Sequence, residues 1–172
     1  NANTLAGGVN NDANPAAGNV SLGASGSIST SGGSFSSSGV NFTNAAGGTI
    51  TTGGGDVTLT HTGPVSLNAN ISAGAGAASI TGLTGSNAVS FASGVTLTAA
   101  SAVIDAGAIT GAGTSAHIDV SGGAGNITLT GRNGIGGAGA PFRVTFGTGA
   151  VALNTTAAAG NIRLEANSVL RV

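Results

Sequence analysis

Gly125-Asn126-Ile127-Thr128-Leu129-Thr130 is a short stretch whose likeness returns along the whole chain. Close copies are Gly18-Asn19-Val20-Ser21-Leu22, Gly55-Asp56-Val57-Thr58-Leu59-Thr60 and Gly160-Asn161-Ile162-Arg163-Leu164, and a weaker copy is Asn87-Ala88-Val89-Ser90-Phe91. The first apolar residues of the five copies stand at positions 20, 57, 89, 127 and 162, at intervals of 37, 32, 38 and 35 residues. A short motif that recurs at near-regular intervals indicates a repeat architecture.

The composition restricts both the fold and the partners. Only 5% of the 172 residues are charged, against about 25% in an ordinary soluble domain. The formal net charge is -1 and β-branched residues occur at regular intervals, which favours an ordered chain over a disordered one. Because the only cations are 4 arginines, we expect no nucleic-acid partner. No apolar run approaches the roughly 18 residues of a membrane span.

A triplet of an apolar, a polar and a second apolar residue returns throughout the chain. By their apolar positions the triplets are Val20/Leu22, Val40/Phe42, Val57/Leu59, Val65/Leu67, Val89/Phe91, Val95/Leu97, Ile118/Val120, Ile127/Leu129, Val144/Phe146, Val151/Leu153, Ile162/Leu164 and Leu170/Val172. A period of two residues predicts strands with one buried and one solvated face. Clusters of Gly, Ala, Ser and Asn separate the triplets, and no segment has helical periodicity. The fold class is therefore all-β.

Such short strands are poorly stable as isolated hairpins, which favours a β-solenoid in which each strand pairs in parallel with its equivalent one coil away. Intervals between triplets, such as 20 to 40 and 127 to 144, predict a coil of about 18–20 residues and roughly 8 coils. The spacing of the recurring motif then corresponds to two coils. Asn19, Asp56, Asn126 and Asn161 are expected at the turn before a strand, where Asn and Asp tolerate left-handed backbone angles.

The chain is expected to contain one domain and a short leader. Residues 1–17 carry little pattern and are predicted to be an irregular leader or the edge of a preceding repeat. Residues 18–172 are predicted to form a single β-solenoid segment. Because the sequence stops in mid-strand at Leu170-Arg171-Val172 without a polar cap, we expect this segment to be part of a longer chain or filament.

The Gly-Asn-Ile-Thr-Leu-Thr and Gly-Asp-Val-Thr-Leu-Thr motifs, in a cysteine-free chain rich in Gly, Ala, Ser, Thr and Asn, resemble the repeats of filamentous haemagglutinin-like adhesins. These are large exoproteins of Gram-negative bacteria that leave the cell by two-partner secretion, and autotransporter passengers are similar. The resemblance covers about residues 18–172 and implies a right-handed parallel β-helix that is secreted, extracellular or on the cell surface. It also implies a structural shaft in adhesion, aggregation or biofilm, with end-to-end or lateral self-association into a fibre.

The candidate binding residues are the four arginines, Arg132, Arg143, Arg163 and Arg171, which all lie in the last 41 residues. Arg143 and Arg163 are about one predicted coil apart. One hypothesis is that the four line one face and bind an acidic host or matrix glycan, or another acidic surface. The alternative is scattered charge that solubilises the rod, with Arg163 partly neutralised by Glu165 on the same strand face.

An alternative function is that of a β-helix carbohydrate-active enzyme, a polysaccharide lyase or hydrolase. Such an enzyme needs clustered carboxylates, and adjacent coils could bring Asp105 and Asp119 together. The other acids are Asp12, Asp56 and Glu165, and no lysine is present to assist them. Since fold analogy alone is no evidence of activity, we expect no enzyme, no catalytic residue and no cofactor.

Four further patterns have simpler explanations. Gly134-Ile135-Gly136-Gly137-Ala138-Gly139 matches the glycine pattern of dinucleotide sites, but no helical pattern follows it, so a turn is predicted. Gly53-Gly54-Gly55-Asp56-Val57 begins like a calcium-binding nonapeptide without iterating, so no metal site is expected. His61 and His117 are predicted to be solvated strand residues. Outward threonine pairs would suit an ice-binding solenoid, but only some coils have one: Thr49/Thr51, Thr58/Thr60, Thr96/Thr98 and Thr128/Thr130.

Substitutions at Ile127 and Thr128 test the predicted alternation. Ile127→Asp should abolish folding, because it places an unpaired carboxylate in the core. Thr128→Asp should be tolerated, because the outer face is hydrated. Circular dichroism and urea unfolding of the two variants measure the difference, and equal tolerance at both positions would refute the predicted strand faces.

Overall fold

The structure of the chain, a computed structural model, describes residues 18–122, 124–155 and 160–167, and in them it contains strands and no helix. The strands are β1 (Val20–Leu22), β2 (Ile28–Ser29), β3 (Phe35–Gly39), β4 (Phe42–Asn44), β5 (Ile50–Thr51), β6 (Val57–His61), β7 (Val65–Leu67), β8 (Ile71–Ser72), β9 (Ala77–Thr81), β10 (Ala88–Phe91), β11 (Leu97–Thr98), β12 (Ser101–Ala106), β13 (Ala108–Gly111), β14 (Ile118–Val120), β15 (Ile127–Gly131), β16 (Gly134–Ile135), β17 (Phe142–Phe146), β18 (Val151–Asn154), β19 (Asn161–Ile162) and β20 (Leu164–Ala166). The all-β prediction is confirmed. The predicted leader at residues 1–17 and the predicted triplet Leu170/Val172 lie outside the described residues.

Three parallel sheets form the sides of each coil. The first sheet has the order β1-β4-β7-β10-β13-β16-β19, the second β2-β5-β8-β11-β14-β17-β20, and the third β3-β6-β9-β12-β15-β18. Each strand therefore pairs with its equivalents in the preceding and following coils. The result is a β-solenoid of about 6 turns, which confirms the predicted parallel solenoid.

The coil is longer than predicted, at about 23 residues instead of 18–20. The shorter value was wrong because most of the intervals behind it joined strands of different sheets, and the interval from 20 to 40 ended two residues before Phe42, the register partner of Val20. Ile127 lies in the third sheet and Val144 in the second, so the distance between them along the chain is only part of a coil. Because three strands make a coil, the described residues also hold fewer coils than the predicted number.

Coil length varies while strand register is kept. Partners in the first sheet are 20 residues apart at Val89 and Ile109, but 27 apart at Ile135 and Ile162. The corners between strands absorb this difference. The backbone ladder of each sheet therefore continues without a shift through coils of unequal length.

The recurring motif alternates between two sheets and does not mark every second coil. Its five copies form β1, β10 and β19 in the first sheet and β6 and β15 in the third. Successive copies are thus separated by four or five strands, which is less than two coils of three strands each. The recurring motif therefore consists of a corner and the strand that follows it, and it occurs where the chain enters the first or the third sheet.

The core is a column of apolar side chains inside the coils. In β15, Ile127 and Leu129 are buried while Thr128 and Thr130 are partly exposed. The largest fully buried side chains come from all three sheets and are Phe42, Phe142, Ile50, Leu59, Leu67, Ile71, Ile80, Leu97, Ile104, Ile109, Ile118 and Ile127. Since burying one such side chain contributes about 1.5–3 kcal/mol, this column is the main stabilising term.

A column of glycines lies at the corner that leads into the third sheet. By the strand register, the aligned positions in successive coils are Gly33, Gly55, Gly76, Ala100, Gly125 and Gly149. A methyl group on Gly125 would overlap the carbonyl oxygen of Ala100, and one on Gly149 would overlap that of Gly125. Glycine is therefore required at positions 125 and 149, where successive coils approach too closely for a Cβ atom, whereas the coil between Gly76 and Gly125 accommodates Ala100.

The Asn or Asp of the motif connects one coil to the next. Oδ1 of Asp56 accepts a hydrogen bond from the backbone N–H of Ala77 at 2.8 Å, and Oδ1 of Asn126 accepts one from Ala150 at 2.9 Å. Neither residue has a positive φ, so the left-handed geometry expected for them was wrong. Their position at a corner is explained by the bond between coils.

Gly125→Ala tests the corner contact. Because the added methyl group has no free volume, we expect a loss of at least about 3 kcal/mol in the free energy of unfolding, at the upper end of the cost of overpacking. Gly23→Ala is the matched control, since nothing lies within 4 Å of a Cβ atom built there. The control should change stability by less than about 1 kcal/mol. Urea unfolding of both variants makes the comparison, and equal midpoints would contradict the close approach.

Candidate functional site

The side chain of Arg132 connects neighbouring coils beside the third sheet. It follows β15, and its guanidinium forms an ion pair with Asp105 of β12 in the preceding coil. The same guanidinium donates a hydrogen bond to the carbonyl oxygen of Leu83, another coil away. Since both ends of the guanidinium are engaged, Arg132 is a structural residue at this position.

Arg143 is also engaged within the rod. It lies in β17, and one guanidinium nitrogen is 2.9 Å from a carboxylate oxygen of Glu165, its register partner in β20. Another nitrogen donates to the carbonyl oxygen of Gly113 at 2.6 Å. Glu165, which was expected to neutralise Arg163 partly, is thus the ion-pair partner of Arg143.

Arg163 differs from these two arginines. It lies between β19 and β20, is exposed, and makes no ion pair within the described part of the chain. Arg171 lies outside the described residues. The predicted arginine face is therefore divided: Arg132 follows a strand of the third sheet, Arg143 lies in the second, and Arg163 lies at the corner between the first and second.

A groove of about 180 Å³ lies beside Arg163. It is lined by Ala108, Asn133, Gly134, Gly136, Gly137, Ala138, Asn161 and Arg163. The glycine-rich motif contributes one wall: after β16 the chain turns back on itself, and Gly137 and Ala140 form an antiparallel bridge. Residues 134–139 thus form a turn, as predicted. Most of them line the same groove as Arg163, which makes no ion pair within the described residues. No pattern in the sequence indicated that these residues come together.

His61 is buried and was wrongly predicted to be solvated. It closes β6 with no exposed surface, and its Nε2 lies 3.1 Å from Oγ of Ser37 in the preceding coil. Its ring packs against Phe42 with centroids 5.5 Å apart, and Nδ1 has no hydrogen-bond partner among the described residues. Burial lowers the pKa of His61 from 6.5 to about 4, so the ring is neutral at physiological pH.

His117 is buried as well, and its hydrogen bonds fix its tautomer. The backbone N–H of Arg143 donates to Nδ1 at 2.9 Å, so Nε2 carries the proton and donates to the carbonyl oxygen of Ala112, 3.1 Å away. The ring stacks on Phe142 with centroids 4.9 Å apart. Burial lowers the pKa of His117 and the charge of Arg143 lowers it further, while the bond to Ala112 opposes them.

One of the two buried histidines could have been found from the sequence. In β6, Val57, Leu59 and His61 occupy alternate positions, so the period of two places His61 on the inward face. His117 directly precedes Ile118, the first residue of β14, and both are buried. A period of two residues places only every second side chain inside the coil, so it could not predict that both of these neighbours are buried.

The acidic residues do not form a cluster. Asp105 lies in β12 of the third sheet and Asp119 in β14 of the second, so the two are on different sides of the rod. Asp105 pairs with Arg132, and Asp119 accepts a hydrogen bond from the backbone N–H of Ser121 at 2.9 Å. Among the described residues no group of three His, Cys, Asp or Glu side chains could hold a metal ion. Asp12 lies outside them.

The threonine pairs of the ice-binding hypothesis are also divided. Thr58/Thr60 and Thr128/Thr130 lie in the third sheet, but Thr51 and Thr98 lie in the second. On the third sheet the coil before Thr128 and Thr130 presents Val103 and Asp105 at the register positions. The pairs therefore do not form one continuous file.

Neither a search for membrane-spanning helices nor comparison with known proteins points to a function. In the part of the chain that the structure describes, no helix is long and apolar enough to cross a membrane. Comparison of the chain with protein-family models, with curated proteins and with solved structures gave no significant match.

The buried His61 predicts a loss of stability in mild acid. Because its pKa is 6.5 unfolded and about 4 folded, the unfolded chain takes up the proton first as the pH falls. Its contribution is fully present above about pH 6.5 and is lost by about pH 4, which amounts to about 3 kcal/mol. Urea unfolding between pH 7 and 4 measures this loss.

His61→Gln is the matched variant, because glutamine can bond to Ser37 but does not titrate. The variant should lose about 3 kcal/mol less than the wild type over the same pH range. His117 remains in both proteins, so its own titration cancels in the comparison. Identical pH dependence in the two proteins would exclude a buried neutral His61.

Proposed function

We propose that this chain is the structural shaft of a secreted bacterial surface or matrix fibre that supports adhesion, aggregation or biofilm formation. The observation that carries the proposal is the continuity of the three parallel sheets, each of which runs through the described coils with its register kept. A rod in which every coil repeats the same contacts has length and stiffness as its main property.

The outer faces of the rod support the same function. In the third sheet, the outward positions Ser36, Thr58 and Ser79 are small, polar and uncharged and follow one another in register, and the next two coils present Val103 and Thr128. Two of the described arginines are used to join coils. Such a surface is easily hydrated and offers few side chains for cleavage by proteases that select charged or aromatic residues.

The resemblance to filamentous haemagglutinin-like adhesins supplies the biological setting of the proposal. It rests on the recurring Gly-Asn-Ile-Thr-Leu-Thr type of motif, and a β-solenoid is compatible with it. The setting includes export from a Gram-negative cell and self-association into a fibre. Host or matrix glycans are the expected partners of such a fibre.

Removal of one whole coil tests the shaft. Val65 and Val89 are register partners, so deletion of residues 65–88 joins Pro64 to an equivalent position one coil further on. We expect this variant to fold and to resist a protease of broad specificity as the intact chain does. Deletion of residues 65–76 is the control. It removes β7 and β8 but keeps β9, so β9 would be placed beside the first sheet although it belongs to the third. Equal protease sensitivity of both deletions would refute a shaft built of interchangeable coils.

The alternative of a carbohydrate-active enzyme is tested by turnover. An array of acidic and neutral polysaccharides is incubated with the wild type, with Asp105→Asn and with Asp119→Asn, and the release of reducing ends or unsaturated products is measured. A shaft gives no product with any of the three. Turnover by the wild type that either substitution abolishes would establish the enzyme and overturn the proposal.

A further inference from the structure

We propose that the groove beside Arg163 binds an acidic saccharide, with the guanidinium on the sugar carboxylate and the amides of Asn133 and Asn161 on its hydroxyl groups. The site deepens the proposed function and rests on its expectation of a glycan partner, whereas its experiment is independent of the test of the shaft. It uses the glycine-rich motif of residues 134–139, which plays no part in the proposed shaft.

The groove follows the axis of the rod. Ala108 directly precedes Ile109, which is the register partner of Ile135, and Gly134 is the register partner of Asn161. Positions 108, 134 and 161 are therefore aligned in three successive coils. At about 4.8 Å per coil the floor extends over roughly 10 Å, which suits a short saccharide and is too small for a dinucleotide.

The charges around the groove favour an anionic ligand. Glu165 follows Arg163 by two residues, but it is held by Arg143 at 2.9 Å. Arg163 is exposed and has no ion pair among the described residues, so its planar guanidinium is free for a carboxylate, which it matches with two parallel hydrogen bonds.

The remaining polar groups favour a sugar over a simple anion. Asn133 and Asn161 are exposed, and each amide offers donors and an acceptor, which is the combination that adjacent hydroxyl groups require. Ala108 has a small side chain and Gly134 has none, so a sugar ring can approach the backbone. No aromatic side chain lines the groove, and we therefore expect a weak affinity, on the order of millimolar.

Two glycines of the wall have separate roles. Gly136 has a φ of 74°, and a methyl group there would overlap the carbonyl oxygen of Arg163, so the turn packs directly on the backbone of the arginine. Gly137 has nothing within 4 Å of a built Cβ atom and no left-handed φ. A Cβ atom at position 137 therefore meets no neighbouring atom, and because Gly137 lines the groove we expect a larger side chain there to obstruct the ligand.

The test is an NMR titration of the full ¹⁵N-labelled chain with the disaccharide of galacturonic acid, with its uncharged galactose counterpart and with acetate. We expect shift changes at Asn133, residues 134–138, Asn161 and Arg163 with the acidic disaccharide, and at least tenfold weaker binding of the other two. The absence of shifts with the acidic disaccharide would overturn the site. Equal binding of acetate would overturn the saccharide assignment, and equal binding of the neutral sugar would overturn the role of Arg163.

Two variants locate the ligand. Arg163→Gln should weaken binding of the acidic disaccharide at least tenfold and leave the rest of the spectrum unchanged. Gly137→Val should abolish binding, whereas Gly23→Val, at another open position in the first coil, should not. Undiminished binding by Arg163→Gln would refute the proposal even if Gly137→Val failed to fold.

Discussion

At one corner of the coil, the carbonyl group of the preceding coil occupies the space where a side chain would begin. Gly125 above Ala100 and Gly149 above Gly125 are the clearest cases. The absence of a side chain here allows successive coils to approach to the spacing that the hydrogen bonds of the three sheets require. The apolar column depends on the same spacing, because side chains such as Ile127 and Leu129 stack on their equivalents only when the coils are in register.

The polar groups of the chain serve the same packing. With so few charges, the rod has little electrostatic repulsion to overcome, and two ion pairs join its coils, Arg132 with Asp105 and Arg143 with Glu165. The two histidines are neutral parts of the core. Burial of His61 makes the rod sensitive to acid.

The parallel solenoid could be predicted because its signals are local. Alternating residues such as Val57 and Leu59 predict strands, and the recurring motif predicts repeats. The coil length could not be predicted in the same way, since strands such as β5 and β8 contain one apolar residue each and leave no triplet. Without them the coil was counted with too few strands, and corners of unequal length hid the true period.

The groove was beyond prediction for a related reason. Asn133 and Arg163 are far apart in the sequence, and only the register of Gly134 with Asn161 brings them to one place. The arginines could be recognised as candidates from their residue type. Which of them was already engaged depends on carbonyl groups such as those of Leu83 and Gly113, and these carry no sequence signal.

The direction of the ladder hydrogen bonds has a mechanical consequence. They run along the axis of the rod while the chain itself runs around it, so tension on the two ends of the rod is carried by these bonds in series. A terminal coil, which has a neighbour on one side only, opens before an internal one. Each coil of about 23 residues then releases roughly 80 Å of extended chain. A rod of this construction lengthens in steps under load and keeps its remaining coils folded.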